Sequence, residues 1–241
     1  MSLDLAGRSV YITGAGSGIG KSTAFRFAAA GAKLFLVGRT ESKLVDTQKE
    51  LLSLYPNVEV AYATVDLADK KAIDESVKTA AEKFGGLSIV VANAGVATTI
   101  QSPFEAWEEA INTNITSVMY LSKVTLPHLE ESVKAHGHAS LIVVSSVFGF
   151  TKHPLFAPYV ASKHGVSGFT LSLFEAVKNK GIKVTVVNPA LTDTPMGQGV
   201  PFYTKKTVIP VDSIAHTIHF AATFPDGGCP TEITVQSQYS E

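Results

Sequence analysis

Short apolar runs separated by longer stretches of helical period recur along this chain, and that alternation restricts its fold more than any other feature. The runs fall at 9–13, 33–37, 58–64, 87–92, 141–145, 183–187 and 233–236. Between them, residues 19–30, 41–54, 69–84 and 103–129 are amphipathic, and Val166, Phe169, Leu173, Phe174 and Val177 repeat at helical period over 165–178. Strand and helix in alternation predict βαβ units: an α/β fold, doubly wound, with a seven-stranded, mostly parallel sheet and helices on both faces. At 241 residues and 45% hydrophobic, the chain can bury one such core. No repeat, low-complexity tract or linker interrupts it, so residues 1–241 read as a single domain. The irregular stretch is 190–210, with Pro195, Gly197, Gly199, Pro201 and Pro210. A loop of that length in a compact domain predicts a lid over a binding site.

Charge excludes several partners. The formal net charge is -1 with no basic block, which argues against nucleic acid and against an anionic membrane surface. The single cysteine, Cys229, cannot close an intrachain disulfide and suits a reducing compartment. The first residues lack the apolar core of a signal peptide, and no apolar run approaches the ~18 residues of a membrane span. A soluble, cytoplasmic protein is expected.

The first apolar run leads into Gly14, Gly16, Gly18 and Gly20, and a helical stretch follows. Glycines at a strand-to-helix turn let the backbone approach a pyrophosphate, whose charge the helix N-terminus favours. The spacing is TGxxxGxG, not GxGxxG, because Ile19 stands where the third glycine would be. Gly20, Lys21 and Ser22 also resemble the end of a phosphate-binding P-loop, but Ala15 occupies the position where that motif needs glycine. A phosphotransferase is therefore the poorer alternative. Some 20 residues past the turn, where an NAD site places a carboxylate on the ribose, stand Gly38 and Arg39. An arginine there predicts a 2′-phosphate partner, hence NADP over NAD.

Farther along, Ser145 and Ser146 end the fifth run, and Tyr159-xxx-Lys163 places a phenol and an ammonium one turn apart on a helix. Alone, that pair reads as a solvated helix face. Alone, Asp66 reads as a helix N-cap, Asn93 as a turn former and Asn114 as an ordinary polar helix residue.

Together, in order, they do not. The set Thr13-Gly14-xxx-Gly18-x-Gly20, Asp66, Asn93-Ala94-Gly95, Asn114, Ser146, Tyr159-xxx-Lys163, Asn188-Pro189 and Thr194 resembles the short-chain dehydrogenase/reductase family over nearly the whole chain. The resemblance implies a Rossmann-like oxidoreductase. Its dinucleotide would be held by Gly14, Ser17, Gly18, Ile19, Gly20, Arg39, Asp66, Leu67, Asn93, Ala94, Gly95, Tyr159, Lys163, Pro189 and Thr194. It implies Ser146 on the substrate oxygen, Tyr159 as acid/base, Lys163 on the nicotinamide ribose and lowering the tyrosine pKa, and Asn114 anchoring a water in a proton relay. Residues 231–236 resemble the branch that includes hydroxy-acid dehydrogenases. Ala190 stands where the family usually has glycine, Ala92 where a second asparagine is common, and Ser17 where many NADP-using members carry a base.

The implied reaction moves a hydride between nicotinamide and a carbonyl or secondary alcohol; a nucleotide-binding module without redox activity is the competing class. A phenol of pKa ≈ 10 is a poor acid/base near neutrality. An ammonium about 4 Å away, at an effective dielectric of ~20, contributes about 4 kcal/mol. That is up to about three pKa units, before desolvation opposes it. A mostly apolar pocket is expected from Val147, Phe148, Phe150, His153, Leu155 and Phe156, and from Met196, Phe202 and Tyr203 on the lid. His153 is an alternative acid, and His164 is expected to point away. No metal site is expected, since His136, His138, His216 and His219 read as surface histidines without a carboxylate completing a ligand set. The resemblance also implies a homotetramer or homodimer, formed through the helical stretches 107–129 and 157–178.

Overall fold

The computed structural model describes residues 3–239. Strands β1 (Ser9–Thr13), β2 (Lys33–Gly38), β3 (Val60–Thr64), β4 (Ile89–Ala92), β5 (Ala139–Val144), β6 (Ile182–Pro189) and β7 (Glu232–Val235) form one seven-stranded sheet in the order β3-β2-β1-β4-β5-β6-β7. Every neighbouring pair is parallel. Parallel neighbours require crossovers, which are supplied by α1 (Gly18–Ala29), α2 (Glu41–Leu54), α3 (Lys70–Phe84), α4 (Phe104–Ile111), α5 (Ser117–His136), α6 (Ala157–Val177), the short α7 (Pro195–Gln198) and α8 (Val211–Ala222).

Both faces of the inner strands β2, β1, β4, β5 and β6 are buried, which is why they are continuous apolar runs, whereas edge strand β7 alternates exposed and half-buried residues. Successive residues point to opposite sides. Val10, Ile12, Leu34, Leu36, Ile142 and Val144 pack with Phe27 of α1, Leu44 and Leu51 of α2, and Ile214 and Ile218 of α8. Tyr11, Phe35, Val90, Leu141 and Val143 pack on the other side with Ile73 and Val77 of α3, Leu121 of α5 and Val166 of α6. Each such side chain contributes about 1.5–3 kcal/mol on burial. The buried Tyr11 hydroxyl is matched by Ser76 Oγ at 2.7 Å.

Several boundaries differ from the sequence expectation. The stretch 103–129 is helical without a break from Phe104 but not regular: α4 and α5 are joined by a π-turn, Asn112–Thr116, and α5 runs on to Gly137, which stops it at φ 84°. Strand β3 starts only at Val60, because the Val58 N–H is taken by a turn to the Tyr55 carbonyl. Helix α3 is capped by Asp69, whose Oδ1 accepts from the N–H groups of Lys71 and Ala72, and not by Asp66. His138 is not a surface residue. It is buried at the mouth of β5, and burial with the Arg8 and Lys183 charges lowers its pKa. Among the described residues, no helix is long and apolar enough to cross a membrane.

Candidate active site

The order of the sheet reverses between β1 and β4, so the crossovers leaving these two strands diverge and open a crevice at their C-terminal ends. Hydrogen bonds tie the two ends together there. Thr13 Oγ1 accepts from the N–H groups of Asn93 (2.9 Å) and Ala94 (3.0 Å), while Asn93 Nδ2 donates to the Thr13 carbonyl (2.9 Å). Asn93 thus braces the point where chain direction and strand order change.

The glycine turn is built against this brace. Gly14 has φ 68°, and a side chain on it would lie 2.7 Å from Asn93 Nδ2. A side chain on Gly20 would lie 2.6 Å from the same nitrogen and overlap the Gly14 carbonyl. With these side chains absent, the first turn of α1 opens onto the crevice, and no side chain caps it among the described residues. Backbone N–H groups left over at a helix start form an anion site. Lys21 does not face the crevice: its ammonium pairs with Glu50 at 2.7 Å on the outer surface. That removes the P-loop alternative, in which this lysine must reach the phosphates.

The crevice is a cleft of about 640 Å³, within the usual range for ligand sites. Of the expected residues, Gly14, Ser17, Gly18, Ile19, Arg39, Asp66, Leu67, Asn93, Ala94, Gly95, Ser146, Tyr159, Lys163, Pro189 and Thr194 all line it. Gly20 and Asn114 stand behind the wall. Asp66 Oδ1 accepts from the Ala68 N–H, closing the turn after β3, and Thr194 Oγ1 accepts from the Gly197 N–H at the start of α7. Arg39 is not free. Its Nη1 lies 2.7 Å from Glu109 Oε1 of α4, in an exposed pair. Lys43, four residues on in α2, also lines the cleft. The sequence reading missed both Lys43 and Glu109. The i,i+4 spacing from Arg39 at a helix start could have signalled the lysine, whereas the glutamate is brought in only by tertiary folding.

At the other end of the cleft, the paired serines part. Ser145 Oγ is bound to Ser167 Oγ (2.8 Å) and to the Lys163 carbonyl (3.2 Å), which fastens β5 to α6. Ser146 Oγ accepts from the Phe148 N–H (3.1 Å) and faces the Tyr159 phenol. Lys163 is buried, donates to the Val144 carbonyl at 3.0 Å and sits 5.6 Å from the centroid of the Tyr159 ring. Asn114, in the π-turn, exchanges hydrogen bonds with the backbone of Val96 and donates to Ser162 Oγ, each at 2.9 Å. Both Nδ2 hydrogens are thereby used, and only Oδ1 keeps a lone pair for a water. His164 is exposed, with Nδ1 3.0 Å from the Val160 carbonyl, and takes no part.

Burial and the Lys163 ammonium act on the Tyr159 phenol in opposite senses. Burial pushes Tyr159 up to about 12, and the facing Ser146 hydroxyl opposes this. Lys163 is buried too: desolvation lowers its own pKa to about 8, and its ammonium donates to the Val144 carbonyl.

Comparison with known proteins agrees with this geometry. The family model described as short chain dehydrogenase matches residues 8–201. An uncharacterized oxidoreductase of Staphylococcus epidermidis is 31% identical over 228 residues, covering 93% of this chain and 95% of that protein. One from Staphylococcus saprophyticus is 31% identical over 237 residues, with 97% and 99% covered. Among solved structures, an alcohol dehydrogenase from the archaeon Thermococcus sibiricus, complexed with 5-hydroxy-NADP, superposes with TM-score 0.87 at 26% identity, covering 97% of this chain and 98% of that one. A levodione reductase superposes with TM-score 0.85 at 26% identity, covering 96% and 97%. With the family model matching most of the chain and relatives at 31% identity matching nearly all of it, the chain belongs to the short-chain dehydrogenase family of oxidoreductases.

Proposed function

We propose that the protein is an NADP(H)-dependent carbonyl reductase or alcohol dehydrogenase, with residues 190–210 as the lid of a single-domain enzyme. The observation that carries this reading is that Ser146 and Tyr159 face each other in the same cleft as the glycine turn. A bound nicotinamide would supply or accept the hydride. The protein's own part is to hold the oxygen and manage its proton. Ser146 Oγ donates to the substrate oxygen as negative charge develops on it. Tyr159 keeps its proton up to about 12, so at neutral pH it stands ready as the donor a carbonyl reduction needs. The Lys163 ammonium, beside the ring, stabilises the phenolate left behind. Gly14, Ser17, Gly18, Ile19, Asp66, Leu67, Asn93, Ala94, Gly95, Pro189 and Thr194 would contact the dinucleotide, and Asn114 would hold the relay water through Oδ1. The neighbouring alcohol dehydrogenase complexed with 5-hydroxy-NADP supports both the chemistry and the cofactor.

The lid is held by its own hydrogen bonds. Gln198 and Tyr203 donate to Asp193 Oδ1 (2.9 and 2.8 Å) and keep that carboxyl below its usual pKa. Phe104, Ile111 and Met119 leave an exposed apolar face on α4 and α5, which we assign to a second copy in a homodimer or homotetramer. Light scattering at micromolar concentration should give a multiple of the 25.5 kDa chain; a monomeric mass contradicts the assignment.

Tyr159→Phe should lower turnover of ketones by about 10²–10⁴ while cofactor binding, followed by fluorescence, stays within a factor of two or so. Unchanged turnover would refute the acid role. Arg39 should clasp the 2′-phosphate once it exchanges Glu109 for it. Arg39→Ala should then weaken NADPH binding by about ten- to a hundredfold and leave NADH unchanged. Glu109→Gln, which releases the arginine from an exposed pair, should tighten NADPH by up to about fivefold only. Equal effects on the two cofactors would show that Arg39 does not read the phosphate.

A further inference from the structure

The end of the cleft beyond Tyr159 is walled by Val96, Phe148, Phe156, Met196, Val200 and Phe202. The charged residues Arg39, Lys43 and Asp66 line the opposite end, at β2, α2 and β3. Lys163 is buried beside the tyrosine. Among the described residues, no lysine or arginine other than the buried Lys163 lines the aromatic end.

One polar side chain interrupts the apolar wall. The His153 ring is clamped by Phe156, Phe148 and Phe202, with centroids 5.2, 5.4 and 5.5 Å away. The Leu155 N–H donates to its Nδ1 at 3.3 Å. A ring nitrogen that accepts carries no hydrogen, so the proton of the neutral imidazole lies on Nε2. Among the described residues Nε2 meets no acceptor, and the side chain borders the cleft. Phe148 separates this donor from the reacting group, lying 5.4 Å from His153 and 6.2 Å, edge to face, from Tyr159. His153 and Tyr159 thus both pack on Phe148 and share one wall of the cleft.

We infer that His153 Nε2–H binds a second oxygen of the substrate, which makes the substrate class neutral ketones with an apolar, ring-sized body and a hydrogen-bond acceptor remote from the reacting carbonyl. This rests on the carbonyl-reductase reading of the same cleft. The selectivity is physical. A donor enclosed by phenyl rings loses its hydration when the pocket fills, so a ligand that leaves it unpaired binds more weakly than one that pairs it. The three aromatic rings, Phe202 among them from the stretch 190–210, fix the donor's direction.

The test uses isosteric pairs: 3′- and 4′-methoxyacetophenone against 3′- and 4′-ethylacetophenone. Their binding to the whole protein is measured by calorimetry, with and without NADP. At least one methoxy ketone should bind about two- to tenfold tighter than its ethyl partner. The ratio should fall to about one in His153→Phe, which keeps the aromatic packing, and in His153→Leu, and should survive in His153→Gln, which keeps an N–H. In turnover, His153→Phe should raise KM for the methoxy ketone and leave kcat nearly unchanged. No preference in the natural protein, a preference that survives in both donor-free variants, or no binding of any of the four ketones would overturn the inference. NADPH oxidation separates the two claims. Biased binding without oxidation by any ketone would sink the proposed reaction and leave His153 its role, whereas oxidation with unbiased binding would do the reverse.

Discussion

Thr13 and Asn93 hold the molecule at the one place where its topology changes direction. The ladder between β1 and β4 pairs Ile12 with Val91, and beyond it the side chains continue the work through Thr13 Oγ1 and Asn93 Nδ2. Gly14 and Gly20 must lack side chains because Asn93 Nδ2 occupies that space. The position of α1's first turn therefore follows from a hydrogen bond that is itself a consequence of the strand order. Removing Asn93 would leave the Thr13 carbonyl without its side-chain partner and take away the post around which the glycine turn is folded.

The second dependence is electrostatic. Tyr159 and Lys163 lie one turn apart on α6, the phenol half-buried and the lysine buried, and desolvation pushes the phenol up and the ammonium down. Their mutual attraction is what an ionised pair would gain, and desolvation is what opposes it. Desolvation is the larger influence on each group. The tyrosine ring is open to the cleft on one side, so whatever enters there alters this balance.

Much of this was legible in the residue order. A sheet buried on both faces writes its strands as apolar runs, and 9–13 and 41–54 coincide with β1 and α2 to the residue. Most of the residues that line the cleft were reached through the family resemblance of the ordered set, since Asp66, Asn93 and the Tyr159–Lys163 pair each had an ordinary reading alone. What composition does not encode is hydrogen-bond register and tertiary pairing. The π-turn around Asn114 is a shift of one residue in helical bonding, driven by the carboxamide's exchange with Val96, eighteen positions earlier in the chain. The Arg39–Glu109 pair joins residues 70 positions apart. The burial of His138 and the sign of the Tyr159 shift both depend on how much water folding removes, which a sequence pattern does not state. Helix α8 escaped the sequence reading, yet it packs against α1 and completes the core on that side of the sheet.

Hydride transfer to a carbonyl carbon next to Tyr159 is the central claim, and isotopic transfer tests it most directly. The protein is incubated at neutral pH with NADPH carrying deuterium at C4 of the nicotinamide, on one face or the other, and with an aryl ketone. The alcohol formed is examined by NMR. The account predicts deuterium on the carbinol carbon from one face of the cofactor only, with the hydroxyl proton drawn from solvent, and near-complete loss of product in Tyr159→Phe. Alcohol without deuterium from either face, or product formed equally well without the phenol, would contradict it.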